Sequence, residues 1–475
     1  MENVDPFSLE HSILNHYRII DMPRSLATLL TFAFIFILFR WNSRKQGEVN
    51  GALWLPVLWL AITGSRFPSQ WINLGSGGSD EGTLIDILYF LTLITAGMYV
   101  LACRRVIFSE VMRNNLWLTA FFIYGFLAIL WSDFPFIAFK RWIKTLGHPI
   151  MALIILTDSN PTNALWTVMK RCAYLMIPLS MLFIKYYPEY GRAFSFWTGE
   201  AYNQGITTQK NSLGILCMMF FMFFFWNLLT IRRLEDRHVR REEYLLSVGF
   251  LCMIGWLLHM ANSSTSLATL VIGVATMCVL GMRIVSKRFI GTYVIVAILV
   301  AIGAELSFDV YAKVLDLLGE DATLTDRTEI WEACIALVDN PVFGMGFESF
   351  WLGPRVPVIW EKWHGINQAH SGYIETYLNL GVMGVFLLCG VLFSAFRKIS
   401  DDLLRDFDFA RLRLGYLFAI IFFNYTEATF KALHPLWTVF YIVAIAYRGP
   451  VQSRTEKVSN GVNRSNISMM SQRIR

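Results

Sequence analysis

The sequence predicts an all-α fold: a polytopic transmembrane helix bundle of about 12–13 spans with a long, partly helical outward loop. Three observations predict it. Hydrophobic residues make up 55% of the 475, charged residues only 16%, and mean hydropathy is +0.47, whereas soluble domains carry about 25% charged residues. Apolar runs of bilayer length recur along the chain. Lys and Arg gather at alternate connections between these runs, as the positive-inside rule requires. Such a composition excludes a disordered chain, a collagen-like chain and an ordinary soluble enzyme. The net charge of +6 fits cytoplasmic anchoring better than nucleic-acid binding.

In chain order, residues 1–24 are polar and acidic and lack a cleavable-signal pattern. Spans follow near 25–39, 51–64, 84–103, 116–131, 136–157, 165–185, 212–230, 244–261, 264–282, 289–305, 373–396, 412–427 and 434–447. The second and the last two are short, so a count lower by one is the alternative. Basic clusters such as Arg40/Arg44/Lys45, Arg104/Arg105, Arg232/Arg233/Arg237 and Arg397/Lys398 fall on one side. That places the N-terminus outside and the C-terminus inside, with outward loops at 186–211 and 306–372. The region 25–447 reads as one membrane domain, and 448–475 as a polar cytoplasmic tail rich in Ser and Asn.

The short inner loops contain no GxxxxGK[ST] and no GxGxxG, so no nucleotide site is expected. Of the seven cysteines, only Cys334 lies outside the apolar segments. No Cys/His spacing suggests a metal, and no cofactor is expected. An outward-facing enzyme therefore needs a substrate that carries its own activated bond.

The long outer loop holds the most informative residues. Asp326 can cap a helix beginning at Arg327, with Glu329 completing a capping box; Arg327, Trp331, Cys334 and Val338 then share a face. Asp339-Asn340-Pro341 stops that helix, and Gly344-Met345-Gly346 permits a tight turn. Phe347, Phe350, Trp351, Trp360 and Trp363 suit a bilayer interface and equally a sugar ring. His370 stands where the next span begins, at its first turn. An imidazole there can take a proton from a sugar hydroxyl near neutral pH, or it can simply cap the helix.

These residues carry a resemblance. Arg327-Thr328-Glu329-Ile330-Trp331, Asn340-Pro341-Val342-Phe343-Gly344-Met345-Gly346, and Ala369-His370-Ser371-Gly372-Tyr373 with Gly381 and Gly384 resemble the signature of the O-antigen ligase and Wzy-type polymerase family. Trp131-Ser132-Asp133-Phe134-Pro135 with Lys140-Arg141, Gln209-Lys210-Asn211-Ser212-Leu213-Gly214, and Asn424-Tyr425-Thr426-Glu427 resemble further family elements. The likeness covers roughly 115–445, and the ExoQ-like exopolysaccharide-polymerase branch looks nearest. It departs from the pattern at Ser371, where relatives often have Asn, and at Asn262–Ser266, where many have Arg.

The resemblance implies a GT-C-like glycosyltransferase of the bacterial inner membrane, acting without metal or cofactor. It would join undecaprenyl-diphosphate-linked oligosaccharide repeats into an exopolysaccharide or O-antigen polymer. The alternative is a ligase that transfers glycan to lipid A core. Partners implied are the lipid-linked glycan, the bilayer, a flippase and a chain-length regulator, with no nucleic acid. Such chemistry needs cations for the departing diphosphate and an oriented hydroxyl. Arg141 and His370 are the catalytic candidates; Arg192, Lys210, Arg327 and Glu427 are the candidate substrate contacts. Arg141 sits near the outer end of an apolar span with Lys140, Lys144 and His148, where buried charge is costly and so reads as functional; snorkelling to headgroups is the bland alternative. Arg327 and Glu427 could instead make structural ion pairs. A transporter or flippase of lipid-linked glycan is the competing class, but it predicts inverted repeats and mid-membrane charges that the sequence does not show.

Overall fold

A helix stands at each expected span. The computed structural model describes residues 22–45, 50–72, 83–194, 199–233, 235–308 and 327–447. The acidic segment up to residue 21, the Asp326 cap and the tail from residue 448 lie outside the described residues. Apart from a few short turns of helix, the helices are α1 (Arg24–Lys45), α2 (Trp54–Thr63), α3 (Leu84–Cys103), α4 (Leu116–Leu127), α5 (Pro135–Leu156), α6 (Pro161–Tyr186) and α7 (Lys210–Thr230). Then come α8 (Arg237–Ala261), α9 (Ser264–Gly281), α10 (Ile290–Phe308), α11 (Arg327–Ala336), α12 (Gly372–Asp402), α13 (Phe407–Thr426) and α14 (Pro435–Ala444). Among the described residues the strands are a single hairpin, β1 (Arg192–Phe194) antiparallel to β2 (Ala201–Asn203), with Arg192 opposite Asn203.

Seven helices, α1, α3, α6, α7, α8, α9 and α12, are long and apolar enough to cross a membrane; α2, α4 and α14 are shorter apolar helices. The chain is thus a multi-pass membrane protein. Two helices, α5 and α13, have the length but carry Lys140, Arg141 and Lys144, or Asp408, Arg411 and Arg413. Exposed apolar side chains line the outer surface, among them Leu29, Phe32 and Phe36 on α1 and Ile295 and Leu299 on α10. That is the expected finish for a surface solvated by lipid rather than water. The centre is α6 and α7, of which 78% and 72% of the apolar window is buried. Around them pack α8, α9 and α13 on one side and α2 and α5 on the other.

The outer loop is tied to the bundle by a break in α12. Gly381 has φ +64° inside the helix, a conformation that side-chain-bearing residues adopt only at a cost. The break frees carbonyls on one side and amides on the other, and in an apolar setting each needs a partner. The 341–346 segment supplies them: Met345 and Gly346 donate to the Leu378 and Asn379 carbonyls at 3.0 and 2.9 Å, and Val382 donates to the Pro341 carbonyl at 2.9 Å. Tyr124 of α4 donates to the Leu380 carbonyl at 2.9 Å. The Trp131–Pro135 segment fastens the next stretch. Trp131 donates to the Phe343 carbonyl at 3.2 Å, Ser132 Oγ lies 2.6 Å from Ser349 Oγ, and Asp133 pairs with Arg355.

Candidate active site

A cavity of about 610 Å³ opens among one set of helix ends. Residues at the N-terminal halves of α5, α7 and α12, at the C-terminal ends of α2 and α13, and in the 427–435 connection line it. Every one of these ends lies on the side that the charge pattern assigns to the outside. Its cationic lining is Lys140, Arg141, Lys144 and Lys431; its carboxylates are Glu348, Glu375 and Glu427.

Glu427 organises the rim. It caps the C-terminus of α13 in an extended conformation and is 6% exposed. Its Oε1 accepts from Asn211 Nδ2 at 2.7 Å and from Arg327 Nη2 at 3.4 Å; its Oε2 lies 3.4 Å from His370 Nδ1. Arg327 also donates to the Thr426 carbonyl. Three stretches widely separated in sequence thus meet at one carboxylate. A carboxylate on Nδ1 favours the tautomer that carries its proton there, which leaves Nε2 as a hydrogen-bond acceptor.

A polar chain joins this rim to Arg141. Gln368 Nε2 lies 3.5 Å from His370 Nδ1, a contact and not a hydrogen bond when Nδ1 carries its proton, and Lys431 donates to Gln368 Oε1 at 2.7 Å. The neighbouring Ala432 amide donates to Glu348 Oε1 at 2.6 Å, and Arg141 donates to the Glu348 carbonyl. Glu375 braces the His370 segment from below, accepting from the Ala369 amide at 2.6 Å and from Trp351 Nε1 at 2.8 Å. Trp331 of α11 donates to the Ala369 carbonyl at 2.7 Å.

Several positions differ from the sequence expectation. His370 is not on the first turn of α12. It precedes the helix in a left-handed conformation, φ +50°, and Ser371 is the N-cap, accepting from the Ile374 amide. Ser371 therefore serves the helix start, as a short hydroxyl at that position commonly does. His148 is fully buried rather than facing the cavity: Nε2 accepts from the Leu433 amide at 3.0 Å and Nδ1 lies 2.6 Å from Thr438 Oγ1. Arg192 is on β1, and Lys210 is exposed at the start of α7; neither lines the cavity, whereas Gln209 and Asn211 beside Lys210 do. Arg141 and Glu427 line the cavity; Arg327 and His370 do not, but both contact Glu427 at its rim. Asn262 ends α8 in a left-handed turn, and Ser263 donates to Asn211 Oδ1 at 3.3 Å, so the serine-rich segment joins the network through Asn211.

Residues 248–389 match the family model described as O-Antigen ligase. That stretch, and not the whole chain, carries the similarity to the O-antigen ligase family. The matched region runs from α8 into α12 and contains Arg327, Glu348, His370 and Glu375, while Arg141, Asn211 and Glu427 come from outside it. The chain is also similar to the exopolysaccharide production protein ExoQ of Rhizobium meliloti (strain 1021), at 26% identity over 309 residues, covering 61% of this chain and 67% of that relative. Of the sequence elements singled out above, Lys140 and Arg141, Gln209, Asn211 and Ser212, and Glu427 line the cavity. Of the site, Glu348, Glu375 and Lys431 were not singled out by motif. Lys431 and Glu348 lie in loops with no periodicity, and Glu375 reads as an ordinary first-turn acid of a span.

Proposed function

We propose that the protein is an inner-membrane glycosyltransferase that joins undecaprenyl-diphosphate-linked oligosaccharide repeats into an exopolysaccharide or O-antigen polymer. The observation that carries this reading is the His370–Glu427–Arg327 cluster standing beside a cavity lined by Lys140, Arg141, Lys144 and Lys431. The kinship with an exopolysaccharide production protein supports it. The acceptor hydroxyl attacks the anomeric carbon of the donor sugar. A carbon–oxygen bond forms there as the bond to the diphosphate breaks, and the electron pair leaves with the diphosphate. His370 Nε2 receives the hydroxyl proton, Glu427 orients and stabilises the resulting imidazolium, and the lining cations neutralise charge growing on the leaving group. Arg141 suits that last task because its planar fork grips phosphate oxygens in pairs. Trp351, at the cavity wall, offers a face for a sugar ring.

Ligation to lipid A core uses the same bond chemistry with another acceptor and is the second reading. Deleting the gene and resolving the surface glycan on a gel separates them. Loss of the ladder with single repeats retained identifies a polymerase. Full-length polymer left on the lipid carrier identifies a ligase. Repeats trapped on the cytoplasmic leaflet would instead identify a flippase and overturn the proposal.

A further inference from the structure

At the opposite end of the bundle a second cavity, of about 840 Å³, opens among α7, α8, α9 and α13. The 21 residues of α7 separate it from the candidate active site by roughly 30 Å at 1.5 Å per residue, about one hydrocarbon thickness. Five arginines line it: Arg232, Arg237, Arg240, Arg241 and Arg411, with no carboxylate in the lining. Its remaining wall is largely apolar, with Phe225, Leu228, Leu229 and Met282.

Arg411 is held in place while its amino groups stay available. It is 8% exposed. Its Nε donates to the Met277 carbonyl, and its guanidinium carbon lies 5.7 Å from the centre of the Phe407 ring. A side chain at Gly281 would collide with its Nη2. Neither Nη has a hydrogen-bond acceptor among the described residues. The side chains of Arg232, Arg237, Arg240 and Arg241 likewise make no ion pair among the described residues. Asp408, whose charge also faces Arg411, forms its ion pair with Arg233.

We propose that this cavity binds the phosphate head of an anionic phospholipid, with its acyl chains against the apolar wall. Guanidinium groups around a partly apolar cleft match an anionic amphiphile in both halves, and a basic pocket between helices at the membrane's cytoplasmic side is where such lipids are expected. A free phosphate would leave the apolar wall bare. The site is separate from the catalytic proposal and stands or falls without it.

The test is native mass spectrometry of the full-length protein exchanged into mixed micelles of phosphatidylglycerol and phosphatidylethanolamine of matched chains. Wild type should retain phosphatidylglycerol with a roughly tenfold preference. The surface variant R240Q/R241Q and the buried-site variant R411Q should each lose most of that preference, while R113Q, a basic residue elsewhere on the same expected face, should keep it. Equal retention of both lipids by wild type would overturn the proposal, as would an unchanged preference in R240Q/R241Q. Displacement of the lipid by millimolar inorganic phosphate would show a free-anion site and also overturn it.

Discussion

The Oε2 oxygen of Glu427 faces Nδ1 of His370 at 3.4 Å across 57 residues of sequence, and the same carboxylate engages Arg327 and Asn211 through Oε1. Charge at position 427 therefore serves two ends: it orients the imidazole and neutralises a guanidinium that is only 16% exposed. Glu427→Gln keeps the shape and removes the charge. We expect glycan transfer to fall by about 10²-fold or more as His370 loses its orienting partner. Stability should fall by roughly 2 kcal/mol, the worth of hydrogen bonds to a charged group. Paired measurements of polymer yield and of thermal unfolding in detergent check this; wild-type values for both would refute the role.

Arg141→Lys tests how the cavity grips an anion. A lysine keeps the charge but replaces a bidentate fork with a point charge. The expected result is a severe loss of polymer with normal membrane levels of the protein. Full activity would show that Arg141 only snorkels or braces the Glu348 segment.

Arg192→Gln and Lys210→Gln should behave differently. Neither side chain lines the cavity, so each substitution should leave polymer yield within about twofold of wild type, as expected for solvated charges. Asn211→Ala, one residue on from Lys210, should be damaging because it removes a 2.7 Å hydrogen bond to Glu427. Quantified polysaccharide from complemented deletion strains decides it, and a lysine effect larger than the asparagine effect would contradict the site as built.

Gly381→Ala probes the break in α12. The position has φ +64°, and a Cβ there would collide with the Val342 carbonyl. With ψ at −167° the backbone lies in a region essentially confined to glycine, which costs on the order of 1–3 kcal/mol for a residue with a side chain, and the collision adds to it. We expect a lower unfolding temperature and loosening of the 341–346 segment, read as faster proteolysis of the outer loop. Unchanged stability would show that the helix can straighten there.

Much of this architecture was legible because a membrane span announces itself locally. Twenty apolar residues and a basic flank give both place and direction, so even the short α2 and α14 fell where the apolar runs placed them. The site was legible only in part. Arg327 and Glu427 stood out as candidates, yet their pairing links positions 100 apart, and nothing in local spacing says which partner a charge will meet. Lys210 stood out by its charge, but it is exposed at the start of α7, while the extended N-cap Gln209 and the helical Asn211 line the cavity. His148 looked like a member of the Lys140–Lys144 cluster on spacing alone; the buried Thr438 and the Leu433 amide, supplied by α14 and the connection before it, claim it for packing. The Gly381 break was invisible as a break, since it lies inside a long apolar run and the Leu378 and Asn379 carbonyls it frees are satisfied by amides 33 residues upstream.

The most direct measurement is glycan extension by purified, reconstituted protein on a synthetic lipid-diphosphate-linked repeat, comparing wild type with His370→Ala. Wild type should build a ladder of products, while the variant should bind the donor with similar affinity yet extend it at least 10²-fold more slowly. Extension by the variant at the wild-type rate would contradict the assignment of the His370–Glu427 pair as the centre that receives the acceptor's proton.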